Sequence, residues 1–283
     1  MRNDFCVFIL CYKKPDKCKT LKALNKYGYT GDYYLVLGDD DPTISRYIEN
    51  YGKEVCKIFS KDAIETTFDT MDSFTNRSCV VYARNVCFEL AKQLGYTYFV
   101  ELDDDYMEFQ FRYPYKQKLK LVYPVNMDAV FECFLDYYEN NPQITSIAFA
   151  QGGDFIGGIN SRYGQKVLRK AMNSFICSVN RPFKFNGRIN EDVNTYTSLA
   201  NQGALFMTIT DIMVNQEDTQ QCKDGMTDLY NGVGTYVKSF YTVICSPQAV
   251  KISIMGDNSY RIHHNVNWEH TAPKIISGRY KKY

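Results

Sequence analysis

The sequence has little of what marks membrane-spanning and secreted proteins. No apolar run approaches the roughly 20 residues that a membrane helix needs. The first apolar stretch, in "MRNDFCVFILCYKKPDK", has a core of about seven residues and no small-residue cleavage site. These absences exclude a transmembrane helix and a recognisable signal peptide. We therefore expect a cytoplasmic protein that does not act at a membrane.

Excess charge of either sign is also lacking. The 33 lysines and arginines nearly balance the 32 acidic residues, which gives a net charge of +1. This balance excludes the basic field that marks nucleic-acid binding over a whole chain, although it leaves room for local patches. A composition that is 45% hydrophobic and 23% charged is that of an ordinary globular protein, so disorder is not expected.

Cysteine motifs are absent although cysteine itself is not. The ten cysteines never form a C-x-x-C pair, and several lie inside apolar runs such as "SFICSV" and "YTVICS". This pattern predicts reduced core residues and not zinc ligands or disulfides. Internal repeats, linkers and low-complexity tracts are lacking too, which favours a single domain over residues 1–283.

What the sequence does contain is an alternation of strand and helix patterns over residues 1–105. "FCVFIL", "DYYLVLG" and "EVCKIFS" are typical of strands, and "SCVVYARNVCFELAKQLGY" is typical of a helix that ends at Gly95. In "DDDPTISRYIENYG", Asp41 before Pro42 predicts the start of another helix. The alternation predicts an α/β fold with a parallel, doubly wound sheet. Residues 106–283 predict a mixed α/β half with less regular order.

Three consecutive aspartates follow the apolar strand "YTYFVEL". In an extended chain, Asp103 and Asp105 project to the same side, so their carboxylates can converge on one hard cation while Asp104 points away. A strand end in a parallel sheet is where ligands bind. A solvated acidic turn is the alternative, because such motifs often occur by chance.

A second acidic feature lies in "RINEDVNTYTSLANQG". Glu191 and Asp192 stand at the start of a helical segment, where carboxylates complement the helix dipole. The pair is therefore typical of an ordinary helix N-terminus as well as of a catalytic site.

The C-terminal segment "YRIHHNVNWEHTAPKIISGRYKKY" contains all three histidines, His263, His264 and His270. Neutral imidazoles are common metal ligands. The segment also contains cations that could meet phosphates, namely Lys274, Arg279, Lys281 and Lys282. The alternatives are a basic tail without structure and a zinc site that includes Glu269, although no recognisable zinc spacing is present.

Taken together, "VVYARNVCFELAKQLGYTYFVELDDD" resembles the central segment of GT-A glycosyltransferases, in which an Ala-Arg-Asn helix leads into the strand with the DxD motif. The segment "RPFKFNGRINEDVNTYTSLANQG" is similar to their acceptor-side xED segment, and a C-terminal histidine completes the set; the resemblance covers roughly residues 5–270. Within that superfamily, "NQEDTQQCKDGMTDLYNGVGTYVKSFYTVICSP" is similar to glycosyltransferases associated with TET/JBP oxygenases, which include base J glucosyltransferase and many bacteriophage enzymes.

The resemblance implies a GT-A fold, with a nucleotide-binding half at residues 1–105 and an acceptor half with a C-terminal tail at residues 106–283. It implies a UDP-sugar donor and Mn²⁺ or Mg²⁺ held by Asp103 and Asp105, with one of His263, His264 or His270 as a further ligand. Asp192, with Glu191 beside it, would be the general base if the reaction inverts configuration. The other residues implied at the donor site are Asp39, Asp40, Arg84, Asp104, Lys274 and Arg279, of which Arg84 would contact the nucleotide or hold the aspartates.

The resemblance also implies the acceptor, a hydroxymethylated pyrimidine in DNA, and host cytoplasm if the gene is a phage's. Lys116, Lys118 and Lys120 alternate with tyrosines in "RYPYKQKLKLVY", and Lys281 and Lys282 do so near the end of the chain, a pattern that suits phosphates and stacked bases. Three alternatives remain: a GT-A transferase for polysaccharide, lipopolysaccharide or protein; a metal-dependent nucleotidyltransferase; and an inactive module that binds nucleotide sugars or DNA.

Overall fold

The computed structural model describes residues 1–155, 158–160, 173–216, 226–255, 261–271 and 273. Strands and helices alternate in the first part of the chain as predicted, from Phe5 to Asp103. The strands are β1 (Phe5–Leu10), β2 (Asp32–Gly38), β3 (Cys56–Phe59) and β4 (Tyr98–Asp103), and the helices are α1 (Lys19–Lys26), α2 (Ile44–Tyr51), α3 (Lys61–Glu65) and α4 (Val81–Leu94).

The second part of the chain adds antiparallel pairs and a C-terminal hairpin. Its strands are β5 (Tyr106–Tyr115), β6 (Lys118–Val122), β7 (Ile144–Gln151), β8 (Phe175–Ser178), β9 (Leu205–Gln216), β10 (Val250–Met255) and β11 (Arg261–Val266). Its helices are α5 (Met127–Asn140), α6 (Glu191–Asn201), α7 (Met226–Cys245) and α8 (Trp268–Thr271).

Among the described residues, nine strands form one sheet in the order β3-β2-β1-β4-β8-β7-β9-β5-β6. The strands β3, β2, β1 and β4 are parallel neighbours, β8 runs antiparallel to both β4 and β7, and β9 is parallel to β7. The carboxyl ends of β1, β2, β4, β7 and β9 therefore meet at one edge. The predicted α/β class, with a Rossmann-like half merged into a mixed half as in GT-A enzymes, is confirmed.

Helices cover both faces of this sheet. Helices α1, α2 and α5 pack on one face, around buried residues such as Val7, Leu24 and Phe131, and α4 and α6 pack on the other, around Phe8, Cys87 and Tyr196. Burial of these apolar side chains is the main source of stability. Nine cysteines are described; all are free and seven of them are buried, while Cys133 is exposed. No helix in the described part of the chain has the length and apolar character needed to cross a membrane.

One local prediction differs from the structure, and one segment for which no element was predicted forms a hairpin. The helix expected at Asp41 begins at Ile44, because the Asp41 carboxylate accepts hydrogen bonds from the backbone N–H groups of Thr43 at 2.8 Å and Lys13 at 2.7 Å and so joins two loops. The basic segment after residue 111 is a β-hairpin, with Lys116 and Gln117 both left-handed at its turn (φ 46° and 57°), which suits the twist of paired strands.

Candidate active site

The end of β4 separates the three aspartates as their alternation predicts. Asp104 turns back toward the loop after β1, where its Oδ1 lies 3.6 Å from Lys14 Nζ and its carbonyl accepts from the backbone N–H of Lys19. Burial raises the pKa of Asp104 to about 7, although Lys14 opposes this shift. Asp103 and Asp105 instead face a shared polar network at the sheet edge.

That network consists of three carboxamides that the sequence pattern did not single out. Asn173 Nδ2 donates to Asp103 Oδ2 at 2.6 Å and to Gln216 Oε1 at 3.1 Å, and Gln216 Nε2 donates to Asp105 Oδ2 at 3.2 Å. Gln151 Nε2 donates to both Asn173 and Gln216. The amides thus bridge the two aspartates. Their only sequence signal is position, since Gln151 ends β7, Gln216 ends β9 and Asn173 precedes β8.

Arg84 is the cation at the centre of the site. It is 0% exposed, it lies over the rings of Phe175 and Phe185, and its guanidinium contacts three carboxylates. Nε donates to Glu191 at 3.0 Å, Nη2 to Asp103 Oδ1 at 3.0 Å and Nη1 to Glu101 at 3.4 Å. Of the aspartates that the resemblance implied as partners of Arg84, the guanidinium bonds to Asp103. Glu101 was not foreseen, because within an apolar strand it has no motif of its own.

The carboxylates around Arg84 have raised pKa values. Burial is the main cause for each: it raises the pKa of Asp103 to about 6, that of Glu191 to about 7 and that of Glu101 to about 8, and Arg84 only partly offsets it. Repulsion between the carboxylates adds to the shifts. Among the described residues, Glu101 Oε1 has no hydrogen-bond partner, which suits a protonated carboxyl group. One guanidinium therefore does not balance the acidic groups around it.

Asp192 completes the acidic cluster from the first turn of α6. Glu191 and Asp192 open this helix as predicted, and Glu191 is buried against Arg84 whereas Asp192 stays partly exposed. The Asp192 carboxylate is close enough to raise the pKa of both Asp103 and Glu191. No hydrogen bond of the Asp192 side chain occurs within the described residues. The position leaves a partly exposed carboxylate beside the strand end.

Asp39 and Asp40 follow β2, at the same edge of the sheet but two strands away. Lys61 joins them: its backbone N–H donates to Asp39 Oδ1 at 3.2 Å, and its Nζ lies 2.8 Å from Asp40 Oδ1. The Lys61 ammonium is nearly buried and stands over the rings of Tyr12 and Tyr82. This arrangement fixes both aspartates at the edge where the donor was expected.

The histidines belong to strand β11 and helix α8. His264 is paired with Ile252 in the β10–β11 hairpin and stacks on His263, while His270 is exposed on α8 with Nδ1 3.1 Å from the carbonyl of Gln248. Among the described residues, no group of three or more His, Cys, Asp or Glu side chains could hold a metal ion. Within that part of the chain, neither the expected set of two aspartates with a histidine nor the alternative zinc set with Glu269 forms such a group.

Three of the lysines predicted to contact DNA lie among the described residues. Lys118 and Lys120 are exposed on β6, opposite Tyr115 and Tyr113, and Lys116 is exposed at the turn. Strand β6 is five strands from β4, a separation of about 24 Å along the sheet. The remaining predicted cations, Lys274, Arg279, Lys281 and Lys282, lie outside the described residues.

Comparisons with solved structures give similarities of low identity. Glucosyl-3-phosphoglycerate synthase from Mycobacterium tuberculosis, in complex with Mn²⁺, UDP and phosphoglyceric acid, is 11% identical, with 93% of this chain and 86% of that chain covered and a TM-score of 0.44. A mannosyltransferase from Pyrobaculum calidifontis, in complex with GDP-Man and Mn²⁺, is 13% identical (78% and 59% covered, TM-score 0.47). S. aureus TarS is 14% identical, and the chain spans 38% of its length (80% of this chain covered, TM-score 0.44).

No curated protein matches the chain. The model of one protein family does, under the description TET-Associated Glycosyltransferase, and it matches residues 5–226. This range is well over half of the 283 residues and includes the DxD strand, Arg84, the three carboxamides and the acidic pair. The chain therefore belongs to the TET-associated glycosyltransferase family.

Proposed function

We propose that the protein transfers a sugar from a UDP-sugar to the hydroxyl of a hydroxymethylated pyrimidine in DNA, with a divalent cation at the donor. The observation that carries the donor half of this proposal is the convergence of Asp103 and Asp105 at the sheet edge, with Arg84 behind them and Asp192 beside them. Family membership supports the transferase chemistry. The acceptor rests on the family description and on the lysine-tyrosine hairpin.

The donor set fits a hard divalent cation. Asp103 and Asp105 offer carboxylate oxygens on one side of the strand end, and both Mg²⁺ and Mn²⁺ prefer oxygen ligands. The repulsion between Asp103 and its acidic neighbours supports this fit, because a cation would relieve it. When bound, such a cation neutralises the charge that develops on the leaving diphosphate.

The protein's own residues position the reacting groups. Arg84 fixes Asp103 and Glu191 at a constant separation, so the donor side and the first turn of α6 form one rigid unit. Asp192 would accept the proton of the acceptor hydroxyl in an inverting reaction. Asp39 and Asp40, held by Lys61, would meet the base and ribose of the donor.

The hairpin of β5 and β6 supports DNA as the acceptor. Tyr113 and Tyr115 share an exposed face with Lys118 and Lys120, so aromatic rings for stacking alternate with cations for phosphates. A base in a duplex must leave the stack to reach Asp192, which costs a few kcal/mol that such contacts could offset. The distance of about 24 Å between β6 and β4 corresponds to a site on flanking DNA and not on the modified base itself.

The second candidate is a glycosyltransferase whose acceptor is a saccharide, a lipid-linked molecule or a protein. Two observations suit it as well as they suit DNA: the net charge is only +1, and the exposed lysines of β6 are remote from Asp103. Nucleotidyl transfer and a non-catalytic binding module would use the same acidic strand end.

Two measurements test the proposal. Hydroxymethylated DNA is incubated with a panel of UDP-sugars and Mn²⁺, and its nucleosides are analysed by mass spectrometry. We expect a glycosylated pyrimidine. Transfer to saccharide alone would contradict the DNA acceptor, and a nucleotidylated product would contradict sugar transfer.

The second measurement is the binding of a hydroxymethylated oligonucleotide over a salt series. The affinity should fall steeply with salt, and Lys118→Glu with Lys120→Glu should lower both the affinity and the slope of its salt dependence. Salt-independent or absent binding would contradict the role of the hairpin.

A further inference from the structure

Asn190, the residue before the acidic pair, departs from the usual start of a helix in two ways. Its backbone is left-handed (φ 55°, ψ 37°), whereas a residue in this position normally has an extended conformation. Its side chain makes no capping hydrogen bond to the first turn of α6, although asparagine is among the best capping residues. Both local preferences are given up at the residue that leads into Glu191 and Asp192.

The Asn190 side chain bonds to helix α7 instead. Its Nδ2 donates to the carbonyl of Lys238 at 2.8 Å and to Oγ1 of Thr242 at 3.2 Å, and the Thr242 side chain is completely buried. Ile189 and Tyr241 pack together beside these bonds. A non-glycine residue keeps a left-handed conformation only where its surroundings hold it there, and such residues cluster at functional sites.

Helix α7 begins at Met226, the residue at which the family match ends. The two bonds of Asn190 therefore join the acidic pair inside the matched segment to a helix that lies beyond it. A further bond, from Oγ of Ser246, the residue that follows α7, to Thr197 Oγ1 of α6 at 3.1 Å, lies more than one helical turn away from Asp192. It offers a comparison, because it holds α6 to the end of α7 without touching the acidic pair.

We propose that Asn190 is a positioning residue: its amide fixes the first turn of α6 to α7 and thereby sets where the Asp192 carboxylate stands relative to Asp103. The proposal rests on the proposed function insofar as Asp192 acts as the base. It assigns to α7 a share in the geometry of the active site. A base displaced by about 1 Å can lose a hundredfold in rate, so a single tether of this kind has a measurable effect.

The test compares three variants of the full chain. Asn190→Gly keeps the left-handed backbone accessible and removes the amide, Thr242→Val removes one acceptor at nearly constant volume, and Ser246→Ala removes the distant bond as the matched control. We expect Asn190→Gly to lower kcat by about tenfold or more with unchanged affinity for UDP. Thr242→Val should lower it less, since the Lys238 carbonyl remains, and Ser246→Ala should leave it within about twofold.

Amide hydrogen exchange provides a readout that does not depend on turnover. In Asn190→Gly and Thr242→Val, exchange should rise at residues 191–195. In Ser246→Ala, it should rise only in the part of α6 that follows these residues. Normal kcat and normal exchange at 191–195 in both tether variants would overturn the proposal, as would an equal loss of UDP affinity and rate. If the wild-type protein turned over no UDP-sugar, the proposed function would fail, and the exchange pattern alone would still decide whether Asn190 holds this turn.

Discussion

Among the described residues, two arginines are almost fully buried, and the contrast between them distinguishes the candidate site from a structural centre. Arg84 and Arg188 are 0% and 4% exposed; Arg84 lies over the rings of Phe175 and Phe185, and Arg188 over that of Tyr82. Arg188 also contacts two carboxylates, with Nη2 2.7 Å from Glu65 and Nε 2.9 Å from Asp72, but its Nη1 donates to the Asn76 carbonyl and to the Tyr82 hydroxyl. It ties the loop before α4 to the segment that leads into α6.

The carboxylates around the two arginines differ in how far hydrogen-bond donors offset their burial. Burial raises the pKa of all three partners of Arg84. Glu65 is also subject to burial, but hydrogen bonds from Tyr82, Arg77 and Arg188 outweigh it, so that the pKa of Glu65 is lowered. At the Arg188 centre the donors outweigh burial at Glu65 only, because burial raises the pKa of Asp72 although Phe74 and Arg188 oppose this shift. Around Arg84 the pKa values of all three carboxylates are raised, because one cation does not offset that much buried negative charge. Unbalanced charge in a concave site is a mark of function.

The largest effect should come from neutralising Asp103. We expect Asp103→Asn to lower transfer activity by about a thousandfold and to abolish Mn²⁺-dependent binding of UDP, because the donor site loses a ligand and charge complementarity. Stability should hold or rise, since the carboxylate stands near other acids. Calorimetry with and without EDTA measures the binding, with Asp72→Asn as the matched change at the Arg188 centre. UDP affinity that is unaffected by EDTA in the wild type would contradict the metal.

The next effect concerns stability. Arg188→Met should lower the free energy of unfolding by about 2 kcal/mol, because the partly buried Asp72 loses its cation and the partly buried Glu65 keeps only the cation of Arg77. Activity of the folded enzyme should change little. Urea unfolding checks this, with Arg46→Met as the control, since Arg46 forms an exposed pair with Asp16 that contributes little. If Arg188→Met were as inactive as Asp103→Asn while folded, the division between scaffold and site would be wrong.

Asp192→Asn should lower turnover by roughly a hundredfold and leave UDP-sugar binding intact, because loss of a general base acts on the chemical step. Glu191→Gln should affect folding more than the pH dependence of kcat, since Glu191 is bonded to Arg84. Steady-state kinetics over a pH series separates the two. A parallel loss of rate and donor affinity in Asp192→Asn would place this residue in the nucleotide site instead.

The smallest effect is a pH dependence of opposite sign at two acids, Glu101 beside Arg84 and Glu65 beside Arg188. Burial raises the pKa of Glu101 to about 8, so this carboxyl group lowers the free energy of unfolding as the pH rises from the pKa of a free glutamate toward 8. Relative to the wild type, Glu101→Gln should therefore be more stable at pH 9 than at pH 5. Hydrogen bonds lower the pKa of Glu65, so its carboxylate stabilises the folded state at pH values above the pKa of a free glutamate. Glu65→Gln should therefore lower the free energy of unfolding at neutral pH but not in acid. Thermal unfolding in EDTA measures both; equal pH profiles would remove the distinction.

Short-range patterns predicted much of this molecule. "FCVFIL" and "DYYLVLG" coincide with β1 and β2, and Gly95 ends α4 in a left-handed conformation, because alternation and capping are local properties. Helix α7 was missed, since glycines in "YNGVGTY" weaken the helical signal and tertiary packing overrides them. The roles of Gln151, Asn173 and Glu101 depend on which strand ends meet, which a single sequence does not encode locally.

The exposed lysines of β6 have a consequence for the assembly of the sheet. Strand β6 is an outer strand of the described sheet, and its free backbone groups could pair with a strand of another molecule. Lys118 and Lys120 alternate with the half-buried Leu119 and Leu121, and charged side chains in this position oppose edge-to-edge aggregation. Alanines here would remove that protection together with any phosphate contact. Glutamates would keep the edge charged, so a loss of DNA affinity in the glutamate variants could be attributed to electrostatics and not to precipitation.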